Sequence, residues 1–205
     1  MTTTYLSKKE TNTLIRKCLK EAFPDLTFSV TSSGTHHSSS VTISWDEGAN
    51  IDQVQAITNR FKSLKFNGME DIAIQNYYLM DGQKVDFYSD YITYRRTQSD
   101  TTIQNVIDSI YRRFTNNFTV SNLDKPSVES FKSGGLHTVN LDGFPNDSLQ
   151  RIIRQALAKR SDRMTAKPSA TAASIVLSHT SQTAEDAARA VKSAKKQATI
   201  SSLLH

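Results

Sequence analysis

The chain has 205 residues, 37% of them hydrophobic and 22% charged, with a formal net charge of +5. That length suits one domain with an appendage, or two small domains. A single cysteine, Cys18, excludes an internal disulfide; no run approaches the roughly 18 apolar residues of a membrane span, and the N-terminal MTTTYLSKKE lacks a secretory signal's apolar segment, so a cytoplasmic protein without membrane contact is expected.

Ser7-Lys8-Lys9-Glu10 has the pattern of a capping box, in which serine and glutamate each satisfy the other's backbone N–H. Leu14, Ile15, Cys18, Leu19 and Ala22 follow at helical spacing, and Pro24 ends the run, so a helix is predicted over 8–22. Cys18 lies in this stripe, where it reads as a small buried hydrophobe. Leu26, Phe28 and Val30 alternate with polar residues, as do Val41, Ile43 and Trp45. The two runs read as a hairpin with a serine-rich tip. Ile51, Val54, Ile57, Phe61 and Leu64 return to a helical period, giving a second helix over about 51–63, and Phe66-Asn67-Gly68-Met69 turns the chain away.

Asp81-Gly82 is a tight-turn signal between extended runs at 74–80 and 84–88, and 91–97 is a third run. These strands are expected to join the first hairpin in one antiparallel sheet with helices on one face, an α+β fold. Asp100 precedes the clearest helical stripe, Ile103, Val106, Ile107, Ile110 and Phe114. Short strands are expected at 118–120 and 137–141. Leu149, Ile152, Ile153, Ala156 and Leu157 mark another helix, started by Pro145–Ser148. Residues 165–182, rich in Ala, Ser and Thr, read as a linker, and 184–198 as an alanine-rich helix. The expected division is thus 1–100 as an α+β domain, 101–164 as a mainly helical basic region, and 165–205 as linker and tail.

Charge is uneven. Residues 1–100 carry 11 Lys+Arg against 12 Asp+Glu, whereas 146–205 carry 10 against 4, so the basic excess lies at the rear. Such a block attracts nucleic acid or acidic protein surfaces. Tyr94, Arg95 and Arg96 interleave an aromatic with cations, a pattern that can stack bases and meet phosphates, the favoured alternative being that the tyrosine lines the sheet and the arginines guard its edge. Arg112, Arg113, Arg151, Arg154, Lys159, Arg160 and Arg163 are the second group of candidate nucleic-acid or partner contacts.

Catalytic signals are weak. His36-His37 lacks the convergent partners of a metal site. The carboxylates Asp46, Glu47, Asp52, Glu70 and Asp71 flank turns and a helix start, where they favour the helix dipole. Ser33-Gly34 and Gly134-Gly135 do not fit a phosphate loop, and G-x-S-x-G, H-E-x-x-H and C-x-x-C are missing. The expectation leans away from an enzyme, with no metal and no cofactor.

The front of the chain resembles a known family. Ile15-Arg16-Lys17 through Phe23-Pro24, Phe28-Ser29-Val30, the serine-rich loop into Val41-Thr42-Ile43-Ser44-Trp45, Phe66-Asn67-Gly68-Met69, and Tyr91-Ile92 with Arg95-Arg96 carry the resemblance over about 8–98. It is similar to large polyvalent protein-associated domain number twenty-nine. The resemblance implies a small α+β module of phage and conjugative-element proteins, with no catalytic residue to carry over. Here the module stands in a short chain with a different C-terminal half, a departure that suggests a free-standing effector binding a host protein or nucleoprotein complex, as for a counter-defence inhibitor of the anti-CRISPR or anti-restriction type. The other expectation is an accessory protein that binds DNA or RNA through its basic C-terminal half.

Overall fold

The computed structural model describes residues 3–35, 38–67 and 72–182. In chain order the elements are β1 (Thr4–Tyr5), α1 (Lys8–Ala22), β2 (Ser29–Thr35), β3 (Ser38–Asp46), α2 (Ile51–Thr58) and a 3-10 turn at Asn59–Phe61. Then come β4 (Leu64–Asn67), β5 (Ile72–Met80), β6 (Gln83–Asp86), β7 (Tyr91–Thr97), α3 (Asp100–Arg113), α4 (Thr115–Val120) and α5 (Val128–Lys132). The series ends with α6 (Leu149–Lys159), α7 (Ala170–Ala173) and β8 (Ile175–Gln182). The α+β class holds.

The chain divides into two compact units. The sheet unit takes Met1–Ser44, Val54–Arg95 and the described part of Lys167–His205, and the helical unit takes Trp45–Gln53 and Arg96–Ala166.

In the sheet unit the strands form two sheets rather than the one expected. One has the order β2-β3-β7; the other runs β1-β6-β5-β4, with β8 also paired to β5. The β1–β6 pairing is parallel, so the second sheet is mixed. Residues Asp81 (φ 50°) and Gly82 (φ 78°) both take positive φ between Met80 and its partner Gln83, the geometry of a two-residue type I′ turn. Gly34 (φ 90°) sits near the β2–β3 tip, where a Cβ would lie 2.0 Å from the Ser38 carbonyl oxygen. Helix α1 begins with the predicted capping box: Ser7 Oγ accepts from Glu10 N at 3.3 Å, and Ser7 N donates to Glu10 Oε2 at 2.8 Å. Its stripe of Ile15, Cys18, Leu19 and Ala22 is fully buried. Phe61 and Phe87 meet edge to face at 4.9 Å, with Tyr78 5.7 Å from Phe87.

The stretch read as a linker is structured. Residues 170–173 form α7, and β8 pairs antiparallel with β5 from Ile175↔Met80 to Gln182↔Ile74, with a bulge opposite Tyr77/Tyr78. The alanines and serines that suggested flexibility instead supply a cap, Ser169 Oγ accepting from Ala172 N at 2.9 Å, and a buried Ala172. His36-His37, Gly68 to Asp71 and the expected helix at 184–198 lie outside the described residues.

The helical unit packs α3 against α6. Ile103, Val106, Ile107 and Ile110 share a core with Leu149, Ile153 and Leu157. Ser99 caps α3, accepting from Thr102 N at 3.2 Å, and Asp100 lies in its first turn. The strands expected at 118–120 and 137–141 do not form. Phe118-Thr119-Val120 instead ends α4, and Phe118 is buried in the core of the helical unit. Of 137–141, only Asn140 makes an isolated bridge, to Ser148.

Candidate docking groove

The ten candidate contact residues separate into distinct environments. On β7, side chains alternate between faces. Arg95 is exposed, while Tyr94 is half-buried with its hydroxyl 2.9 Å from Thr58 Oγ1. Burial pushes the Tyr94 phenol up from its ordinary pKa, and the bond to Thr58 opposes this. Tyr94 is thus a packed strand residue, not a stacking platform.

Arg96 is the clearest correction. Its side chain is 4% exposed and fills a nest of carbonyl oxygens in the helical unit. Nη2 donates to Gly48 O at 2.8 Å, and Nη1 donates to Arg160 O at 2.8 Å and Leu157 O at 3.2 Å. Asp162 Oδ2 lies 3.6 Å from Nη2 and accepts from Gly48 N at 2.8 Å, while its Oδ1 accepts from Arg160 Nε at 2.6 Å. Burial lowers the Arg96 pKa, and the charges of Asp162 and Glu47 oppose that. A buried guanidinium requires such acceptors. Arg96 is a latch between the loop at 47–48 and the end of α6, unavailable to a ligand, and Arg160 spends one donor on the same latch.

The other candidate cations, on α3, on α6 and just after it, reach solvent. Arg112, Arg113, Arg151, Arg154, Lys159 and Arg163 are all exposed. Arg151 pairs with Asp147 at 3.0 Å, an exposed i,i+4 pair that contributes little. Arg112 donates through Nε to Asp108 O at 3.3 Å. Arg113 lies over the Phe114 ring, 5.4 Å from its centroid. Among the described residues Arg113, Arg154, Lys159 and Arg163 have no ion-pair partner.

Between α3 and α6 runs a groove of about 490 Å³. Val106, Ile110, Ile152 and Ala156 give it an apolar floor, and Phe114 and Phe144, edge to face at 5.1 Å, close one end. Arg113, Lys159 and Arg160 line its rim, with Asp147 the lone acid. The sequence located the rim cations but missed the floor: Phe144 sits in an irregular stretch without periodicity, and Ile152 counted simply as part of a core stripe.

The carboxylates do not form a comparable site. Glu47 Oε1 accepts from Ser99 N at 2.6 Å, within the helical unit. In the sheet unit a cleft of about 760 Å³ is bordered by Asp86 and Asp90. Asp86 accepts from Ser63 Oγ at 3.0 Å, and Asp90 Oδ2 accepts from Ser39 N at 2.8 Å and Ser39 Oγ at 2.9 Å, bonds that fix the loop between β6 and β7. Among the described residues no group of three or more His, Cys, Asp or Glu is arranged to hold a metal, and no helix is long and apolar enough to cross a membrane.

No curated protein and no solved structure matches the chain. The family scan does: residues 6–99, which begin just before the capping box and end at the cap of α3, match large polyvalent protein associated domain 29, and the front of the chain is a domain of that family.

Proposed function

We propose that the protein is a non-enzymatic binding protein of a phage or mobile element that docks an acidic protein surface in the groove between α3 and α6. The large polyvalent protein associated domain points to the phage or mobile-element setting. The groove supports the docking: three cations stand over an apolar floor with one acid among them. A cationic rim steers an acidic partner and an apolar floor holds it. The partner is a host complex, and inhibition of a defence system is the outcome such docking serves.

Nucleic acid is the second reading, favoured by Arg113, Arg154, Lys159 and Arg163, exposed cations without ion-pair partners among the described residues. The two readings diverge in salt. Phosphate binding weakens steeply and linearly on a log–log scale, with a slope set by the number of phosphates met. The test is capture from host lysate at moderate salt, with and without nuclease treatment, with the wild type beside a variant carrying Arg113→Glu and Lys159→Glu. A protein retained by the wild type and lost from the variant supports the proposal. Retention of the same protein by both would exclude the groove. Capture that vanishes with nuclease treatment would turn the assignment to nucleic acid.

A further inference from the structure

Residues 6–99 match the family, yet the sheet of that domain is completed by β8, which lies outside the match. The contact that holds 167–182 has the anatomy of a bound peptide. Its main chain runs antiparallel along β5 over the whole length of β8. Among the first four strand residues only Ile175 is buried, at 3% exposure; Val176 (57%) and Leu177 (51%) face outward, and Ser178 is exposed as well. Ahead of the strand a polar clasp takes over from apolar packing. Lys167 N donates to Ala22 O at 2.9 Å. Glu21 accepts three bonds, from Ser169 Oγ at 2.6 Å, Thr171 Oγ1 at 2.8 Å and Thr171 N at 3.0 Å. Arg60 Nη1 donates to the Ala172 carbonyl. A backbone ladder, one apolar anchor and a few side-chain bonds to the peptide are how proteins recognise an added strand.

We propose that the free edge of β5 in this domain is a strand-binding site, occupied here in cis by residues 167–182. The segment it fits is extended and uncharged along its paired length. It carries Ser and Thr two residues apart, as Ser169 and Thr171, and an aliphatic anchor four residues after the threonine, as Ile175. The occupant belongs to the same chain, so it competes at millimolar effective concentration, and an outside strand enters only when that tether is cut.

Cys18 reports on the site. It is fully buried in α1, interacts with the Ser169 side chain, and is the chain's single thiol. Burial pushes its pKa up to about 11, against the Ser169 bond, so the covered thiol is a poor nucleophile.

The experiment uses the full chain with a protease site inserted between Thr165 and Ala166. After cleavage, a fluorescein-labelled peptide of residues 167–182 is added and followed by anisotropy. Uptake by the nicked protein at least ~100-fold tighter than by the uncut protein is expected. The same peptide with Ile175→Asp should not compete, and bound peptide should slow Cys18 labelling by a maleimide. Failure of a large excess of peptide to enter over days would mean that β8 is an inseparable strand of the fold. Loss of circular dichroism on cleavage would mean the same. Either result overturns the proposal.

Discussion

Arg96 and Arg113 belong to the same helical unit and differ only in their surroundings. Arg96 is enclosed by the carbonyls of Gly48, Leu157 and Arg160 beside Asp162, whereas Arg113 lies on the rim of an open groove over the Phe114 ring. Both count equally in a net charge. Only one can meet a partner, because a buried guanidinium that has replaced water with backbone acceptors cannot leave without orphaning them. Basic composition therefore overstates the binding surface, and the part available must be read from burial.

The sharpest break of this comparison is Arg96→Ala. It strands the buried carbonyls of Gly48, Leu157 and Arg160 and removes one of the charges beside Asp162, and should cost about 3 kcal/mol or more. Trp45 is the only tryptophan, is 3% exposed and lies in the helical unit, so its fluorescence during urea unfolding measures the loss. Arg96→Lys should recover little, since an ammonium cannot span the same acceptors. A Trp45 transition unmoved by either change would refute the latch. On the groove side, the pair Arg113→Glu and Lys159→Glu should shift that transition by less than about 0.5 kcal/mol while removing partner capture. A large stability loss there would put these residues in the fold instead.

A smaller effect is expected at Glu21. Glu21→Ala removes three accepted bonds from the segment ahead of β8. Amide protection across 171–177 should fall about tenfold, read by hydrogen exchange, with the α3 amides unchanged. Equal change in both would show that the substitution loosens the whole chain.

The gentlest prediction is in pH. Burial pushes the Asp162 carboxyl up, but the Arg160 bond, the Gly48 N–H and the Arg160 and Arg96 charges outweigh it and hold the pKa below the ordinary carboxylate range. Glu47 is likewise lowered: its burial is outweighed by bonds from Ser99 and Thr102. A depressed carboxylate stabilises the folded state above its unfolded value, near 4, and that contribution disappears as pH falls through the folded value. The Trp45 melting temperature should therefore decline more steeply below about pH 4 in the wild type than in Asp162→Asn. Parallel declines would remove Asp162 from the latch.

Local signals were legible and distant ones were not. The Ser7–Glu10 box, the α3 stripe and the Asp81-Gly82 turn follow from spacing alone, and all three form as read. The splitting of the strands into two sheets did not follow, because alternation names the buried face of a strand but not its neighbour. Residues 175–182 were missed for a related reason. Their partner β5 lies about a hundred positions earlier, and the Ala, Ser and Thr leading to them look the same in a linker as in a clasp. In the groove, Lys159 and Arg113 were found by charge, while Phe144 needed the fold to bring it to Phe114.

The late arrival of β8 also bears on how the chain is made. During synthesis from the N-terminus, everything through residue 166 emerges before the strand that completes the earlier unit. The helical unit, built largely from contiguous chain, can close first. A ribosome halted once residue 166 has emerged would then display a finished helical unit and a sheet still lacking one strand, with β5 exposed to whatever chaperone or neighbouring nascent chain reaches it first.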